Sequence, residues 1–394
     1  MAEPAPILIA GGGIGGLALS LALARRGRRS VVLEARHEFV AEGAGIQLGP
    51  NGVRALQHLG VADALRPKAG EPEALEVRDG GTSRLLATLP LGRWIADRHG
   101  APYWAVHRGD LHAALLTAAG KQSAVSLRTG FAVTDLANEG HGVEIASATG
   151  DRVAGRALVG ADGLWSGVRS TICPAIAPQF VGSTATRTVI PAADAGRLAS
   201  PSVGLWLSPG ANIVHYPVRG GTEVAVVVIA VEAWEGRDWA AEADRTALMG
   251  RVGGFHASLI QPLAGARSWR KWALHRLAPL PRWSAGRITL LGDAAHPMLP
   301  HLAQGGVLAL EDAVVLADCL EHRPGEEATA FLAYERQRRE RAARVQAASR
   351  RNGRVYQLGP AFAWARNAAL RLVPGARLMS GYDWLYGWRF DAAR

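Results

Sequence analysis

The stretch Pro6-Ile-Leu-Ile-Ala-Gly-Gly-Gly-Ile-Gly-Gly-Leu-Ala-Leu-Ser-Leu-Ala-Leu-Ala-Arg-Arg26, followed closely by Ser30-Val-Val-Leu-Glu34, decides the fold. A short apolar run, a glycine turn, a helical stretch Ile14 to Arg26 and a second apolar run read as strand, helix and strand. Such a βαβ unit opens a parallel sheet. Gly11, Gly13 and Gly16 hold the G-x-G-x-x-G spacing. The first glycine makes the turn, the second lets the backbone approach a pyrophosphate, and the third lets the helix pack closely. The helix N–H groups beginning at Ile14 and Gly15 then face the phosphates. A glycine-rich turn between a strand and a helix is common by itself. What separates this one is Glu34, which closes the second strand where a carboxylate accepts hydrogen bonds from an adenosine ribose. The same charge repels a 2′-phosphate, which leaves the adenosine of FAD or NAD and sets NADP aside.

Outward from this unit, the 394 residues are enough for a large core and a second lobe. Asn51 to Leu59 reads as a helix closed by Gly60. Leu75 to Leu91 alternates, carries turn glycines and predicts a hairpin in a different sheet. Asp110 to Ala119 is a helix ended by Gly120, and Val125 to Leu158 reads as short strands resuming the first sheet. Val203 to Leu207, Ile213 to Pro217 and Val224 to Val228 form a second, antiparallel sheet. A buried strand at Arg287 to Gly292 returns to the first lobe, Gly306 to Leu320 is a long helix, and the chain is helical from about Phe331. The expectation is an α/β fold in which a Rossmann-like nucleotide-binding domain (1–72, 97–178 and 270–330) is interleaved with an antiparallel-sheet substrate domain (73–96 and 179–269). A C-terminal helical segment (331–394) follows. The cleft between the lobes is the default binding site.

Nearly half of the residues are apolar and a fifth are charged, as in an ordinary globular protein, and the formal net charge is +10. Part of the excess lies in Glu335-Arg-Gln-Arg-Arg-Glu-Arg-Ala-Ala-Arg344, whose alternation at helical spacing reads as a solvated face with ion pairs. No zinc spacing, aromatic-rich RNA-binding motif or basic arm accompanies it, so no nucleic-acid partner is expected and the charge favours anionic small molecules. Only Cys173 and Cys319 are present, too few for a disulfide framework or a metal pair, which fits a reducing cytoplasm. Ile7 to Ala24 is apolar but glycine-rich and lacks a preceding basic segment, so it reads as buried strand, turn and helix, with no membrane anchor.

Two further segments are Val159-Gly-Ala-Asp-Gly-Leu-Trp-Ser-Gly-Val-Arg169 and Ile288-Thr-Leu-Leu-Gly-Asp-Ala-Ala-His-Pro-Met-Leu-Pro-His-Leu-Ala-Gln-Gly-Gly306. They resemble the second and third FAD motifs of the class A aromatic hydroxylases, which include salicylate, 3-hydroxybenzoate and 6-hydroxynicotinate hydroxylases. The resemblance extends through Ala44 to Leu56, Val106 to Leu111, Tyr216 to Gly221 and Trp384 to Trp388. It implies FAD, with Glu34, Ala35, Arg36 and Arg108 at the nucleotide and pyrophosphate, Asp162 holding the nucleotide end, and Asp293 at the ribityl chain. Asp162 and Asp293 also fit ordinary turn or cap roles. Gln304-Gly305-Gly306 opens a helix right after the Asp293 strand and aims its positive end at the place where a reduced flavin is anionic, worth on the order of 1 kcal/mol.

One dinucleotide fingerprint without a second, and no Cys-x-x-x-x-Cys pair, separate the chain from disulfide reductases. The resemblance implies transient NAD(P)H binding, a flavin hydroperoxide formed with O2, and hydroxylation of a small phenolic or hydroxypyridine acid by a monomer or homodimer. Alternatives are a tailoring monooxygenase on a larger polyketide, quinone or antibiotic, and an FAD protein without oxygenase activity. Phenol hydroxylation needs a nearby base and a dry site. In Asn212-Ile-Val-His-Tyr216, alternation puts Asn212, Val214 and Tyr216 on one face and His215 on the other. Tyr216 is the leading candidate. Asn212 stands where several relatives carry a His, and His215 can substitute only if the strand is bulged. His301, on the loop expected over flavin and substrate, and Gln47, expected at the isoalloxazine edge, complete the set. Arg187 and Arg219 rank below them as carboxylate partners, His296 is assigned to structure, and the twelve Trp residues are read as core.

Overall fold

The computed structural model describes residues 5–40, 43, 45–139, 142–234 and 236–391. Ala44, which opens one of the quoted motifs, lies outside them. The apolar run forms the strand Ile7–Ala10, the centre of a six-stranded sheet. Ser30–Leu33 and then Val125–Arg128 follow on one side of it, and Ala157–Gly160 and Ile288–Leu290 on the other, all in parallel pairs. A short antiparallel strand, Ser284–Ala285, finishes the far edge. Chain order reverses on either side of Ile7–Ala10, which makes the carboxyl end of that strand the switch point where doubly wound sheets bind ligands.

The fingerprint helix, Ile14–Ala24, is buried nearly all round because it lies between this sheet and the helix Gly305–Glu321. That sandwiching explains its uniform hydrophobicity. Among the described residues no helix is long and apolar enough to cross a membrane.

The second sheet has eight strands and contains the expected hairpin, Ala74–Asp79 with Leu85–Pro90. It is not purely antiparallel, since Ser202–Ser208 runs parallel to Ala74–Asp79. Between those two strands the chain forms Leu85–Pro90, crosses to the first lobe and returns through Gln179–Pro191, both of which belong to the same eight-stranded sheet. A second correction concerns 125–158. Only Val125–Arg128 and Ala157–Gly160 join the first sheet, whereas Val133–Glu139, Gly142–Ser147 and Arg152–Gly155 form a separate antiparallel sheet. The burial pattern carries the reason: Ala157–Gly160 is buried at every residue, while Gly142–Ser147 alternates and so covers the core with one face only.

The C-terminal part is helical as expected, led by the 30-residue helix Glu327–Tyr356. Its Arg-rich run is not simply a solvated face. Exposed Arg339 pairs at 3.3 Å with Glu335, which is itself buried and accepts from the Ser284 N–H. Arg338, however, is 1% exposed and bridges Asp312 and Glu311 at 2.6 and 2.7 Å, and Arg341 also turns in to Glu311. Buried cations need buried partners, and these are two acids in the middle of Gly305–Glu321.

Candidate active site

Three cavities adjoin one another, the first sharing lining residues with the second and the second with the third. The first, about 360 Å³, is lined by Gly11, Gly13, Ile14, Glu34, Ala35, Arg36, Arg108 and Asp162. Gly11 has φ +108°, and a Cβ there would lie 2.3 Å from the Ala161 carbonyl oxygen. A Cβ at Gly16 would lie 2.0 Å from the Gly11 oxygen, and one at Gly13 would meet nothing within 4 Å. Turn and packing therefore demand the outer glycines, and the middle one opens backbone to the cavity.

Glu34 is held at the end of its strand by the backbone N–H groups of Gly12 and Arg36, which donate to its two oxygens at 2.9 and 3.0 Å. Asp162 takes hydrogen bonds from the Ser166 hydroxyl at 2.5 Å and the Val168 N–H at 3.1 Å, so it fastens the start of the helix Gly167–Ile172. Burial nevertheless pushes its carboxyl up. His112 was not singled out in the sequence; its Nε2 lies 2.8 Å from the Gly12 carbonyl, under the glycine turn.

The second cavity, about 330 Å³, shares Gly13, Ile14 and Arg108 with the first and adds Gly15, Gln47, Tyr216, Asp293, Gly305 and Gly306. Asp293 sits in the tight turn Gly292–Ala294, and burial raises its carboxyl pKa against the pull of His296 and Arg108. Gly305 and Gly306 form the first turn of the 17-residue helix Gly305–Glu321. A Cβ on Gly306 would come within 2.6 Å of Ile46.

Arg187, placed low by its sequence context, lines this cavity, with its guanidinium 4.8 Å over the Trp272 ring and donating to the Trp239 carbonyl at 3.3 Å. Trp272 belongs to a buried apolar cluster and Trp239 packs against it, in keeping with the reading of the tryptophans as core, and both also line this cavity. Nothing in their spacing distinguishes a wall from a core. Arg219 lies outside the cavities, paired with Asp110 and Glu223.

The third cavity, about 320 Å³, meets the second at Gln47, Val214, Ile229, Pro300 and Ala303. Gln47 is fixed there by the Tyr103 hydroxyl, which donates to its Oε1 at 2.8 Å. Asn212 is 1% exposed; its Oδ1 accepts from Gln357, and its Nδ2 has no hydrogen-bond partner among the described residues. His301 lines the same cavity with an unpartnered Nδ1, and burial pushes its pKa down to about 4.

Tyr216 lies beside Gly45 in the second cavity, and burial raises its hydroxyl above the ordinary value. His215 does not join the site. Its strand pairs in unbroken register from Ala211 to Val218, without the bulge its candidacy required. The ring therefore faces away, against Gly204 and Trp206. His296, as expected, is structural: its Nε2 is 2.6 Å from Asp312.

A family model described as "FAD binding domain" matches residues 4–349. The chain is 36% identical to 3-hydroxybenzoate 6-hydroxylase of Klebsiella oxytoca, over 99% of this chain and 98% of that one. The chain belongs to the class A FAD-dependent aromatic hydroxylases. Another relative in this hydroxylase family is 6-hydroxynicotinate 3-monooxygenase of Pseudomonas fluorescens, 34% identical over 89% of this chain and 92% of that one. Among solved structures, a salicylate hydroxylase substrate complex superposes with a TM-score of 0.83 at 25% identity, covering 99% of this chain and 97% of that one. As a hydroxylase of this family the protein is an FAD-dependent monooxygenase.

Proposed function

We propose that FAD extends from Glu34 to Gly306 across the first two cavities, and that a small phenolic or hydroxypyridine acid binds in the third and is hydroxylated at the expense of NAD(P)H and O2. The observation that carries this reading is the confluence of the cavities: two adjoining cavities with a glycine cradle at Gly13, meeting a compartment of apolar walls, a few neutral polar groups and the cation of Arg351. That balance of lining suits a ring with one or two polar substituents.

Bound FAD, once reduced by the nicotinamide, supplies one electrophilic oxygen atom from O2, the other leaving as water. The protein's own residues do the rest. Glu34 accepts from the ribose, while the turn at Gly11 to Gly16 and the cation of Arg108 face the pyrophosphate, with Ala35 and Arg36 along the adenosine edge. Asp293 accepts from the ribityl chain. The Gly305–Gly306 helix end favours negative charge by on the order of 1 kcal/mol.

Toward the substrate, Asn212 Nδ2 donates to the ring hydroxyl and neutral His301 accepts its proton in a hydrogen bond through Nδ1. Gln47, aligned by Tyr103, presents its amide at the boundary of the two compartments. Tyr216, held protonated, acts as a donor and not as a base. The walls exclude water, which strengthens each of these contacts.

The same reading divides the chain at the boundaries given above except that Arg270–Arg276, a strand of the eight-stranded sheet, goes with the substrate domain; it places the protein in the cytoplasm, where its two buried thiols stay free, and makes it a monomer or homodimer. Purified yellow protein given NADH, O2 and a panel including 3-hydroxybenzoate, salicylate and 6-hydroxynicotinate tests it. Ligand-stimulated NADH oxidation with a hydroxylated product is expected; no stimulation by any member would overturn the reading.

A further inference from the structure

The loop that closes the second and third cavities runs from the end of Ile288–Leu290 to the start of Gly305–Glu321, and one face of the helix Glu327–Tyr356 follows it residue for residue. Tyr334 donates its hydroxyl to the Leu290 carbonyl at 3.2 Å. Arg338 holds Asp312, whose Oδ2 accepts from the Gly292 N–H at 3.2 Å. Further along, Gln346 donates to the Pro297 carbonyl at 2.8 Å, Ser349 to Leu299 at 2.6 Å and Asn352 to His301 at 3.4 Å. The ring of Tyr356 then meets that of His301 edge-on at 6.0 Å. With about 100° per helical residue, all six side chains fall within an arc of roughly 120°.

Helix and loop ascend together. Tyr334 and Asn352 are eighteen residues apart, about 27 Å of helix. Leu290 and His301 are eleven apart, about 37 Å if fully extended. The loop is therefore drawn out along the helix, its slack taken up by the turns at Gly292–Ala294 and Pro300–Leu302.

Two details show that the fit is close. Gly353 interrupts the helix interior, where glycine costs roughly 1 kcal/mol relative to alanine, and a Cβ there would lie 2.5 Å from Cδ2 of His301. Just beyond the last anchor, Ala303 has φ +52°, a left-handed conformation that a non-glycine residue keeps only where its surroundings impose it.

We propose that this face of Glu327–Tyr356 is the template that sets the Pro297–Ala303 loop over flavin and substrate, with Gln346, Ser349, Asn352 and Gly353 as positioning residues. Gln346, Ser349 and Gly353 line none of the three cavities and act through the backbone of the loop and the ring of His301, whereas Asn352 also lines the third cavity. The inference rests on the function proposed above only for what the loop covers.

The test uses the full chain loaded with FAD, in Ser349→Ala, Ser349→Thr and Gly353→Ala variants. Losing one anchoring hydrogen bond should speed amide exchange at Leu302 and Ala303, the amides closed into the turn Pro300–Leu302, by about tenfold, with exchange in Ile7–Ala10 unchanged. Ser349→Thr should restore protection. Gly353→Ala should shift the visible absorption band of the bound flavin, because the added methyl displaces the His301 ring and with it the loop. The proposal is overturned by unchanged exchange at those amides, by a rise spread over the whole chain, by failure of Ser349→Thr to restore protection, or by an unmoved flavin spectrum in Gly353→Ala. None of these readouts depends on turnover, so a failure to hydroxylate would count against the proposed function and leave this result standing.

Discussion

At Asn212 a buried amide nitrogen has no partner among the described residues. Leaving such a donor unpaired costs roughly 1–3 kcal/mol, and a ligand that pairs it recovers that amount. Asn212→Leu, similar in volume and lacking the donor, should therefore raise the thermal midpoint of the protein and weaken binding of the hydroxylated ring by about tenfold or more. Calorimetry and a ligand titration read the two effects in opposite directions; weaker binding without added stability, or the reverse, would mean that the amide does not face the ligand.

His301 gives the corresponding statement about pH. An unfolded histidine takes up its proton near 6.5, whereas His301 in the fold does so only near about 4. Between those values the unfolded chain binds more protons, so this group's contribution to stability is full above about 6.5 and is lost as the pH falls toward 4. Replacing it by Asn should shrink the fall in unfolding free energy between about pH 7 and pH 5 by about 2 kcal/mol, measured by urea unfolding at both values. An identical fall in the variant would show that the imidazole charges as freely in the fold as out of it.

Elements were legible where local pattern and tertiary role coincide. The strand Ile7–Ala10, its glycine turn and the fingerprint helix follow from residue order alone, because burial on all sides leaves no polar face to confuse the reading. The turn separates two kinds of glycine, and substitution should do the same. At Gly16 an added methyl meets the Gly11 carbonyl, so Gly16→Ala should fail to give folded protein. At Gly13, where φ is −76° and the methyl meets no protein atom, Gly13→Ala should fold but lose FAD, since the methyl stands where the pyrophosphate passes. Circular dichroism and the yield of yellow protein check both; equal FAD content in Gly13→Ala and the parent would remove the pyrophosphate from that place.

Elements were misread where the deciding partner is remote in sequence. The strands of 133–155 read as a continuation of the first sheet, yet their alternation, clearest in Gly142–Ser147, goes with pairing among themselves in a separate sheet. The run at Glu335–Arg344 looks solvated in one dimension, and only the approach of Glu311 and Asp312 from another helix turns Arg338 inward. His215 failed for a simpler reason: without a bulge, strand alternation cannot bring it to the side of Asn212 and Tyr216.

For the whole molecule, the arrangement of lobes and the family were readable because the three motifs sit at the ends of strands of one sheet. The third compartment was only half readable. Asn212, His301 and Gln47, all singled out in the sequence, line it, but Tyr103, Trp239 and Trp272 reach the cavities through folding of distant segments that no motif marks. The central claim is that the confluent cavities deliver an oxygen atom from O2 to a small aromatic acid. The most direct measurement is turnover with NADH and isotopically labelled dioxygen in the presence of 3-hydroxybenzoate, salicylate and 6-hydroxynicotinate, followed by mass spectrometry of the product. One labelled oxygen in the new ring hydroxyl, formed in step with NADH consumption, is the expected result; NADH oxidation that ignores every ring offered and yields no labelled product would contradict it.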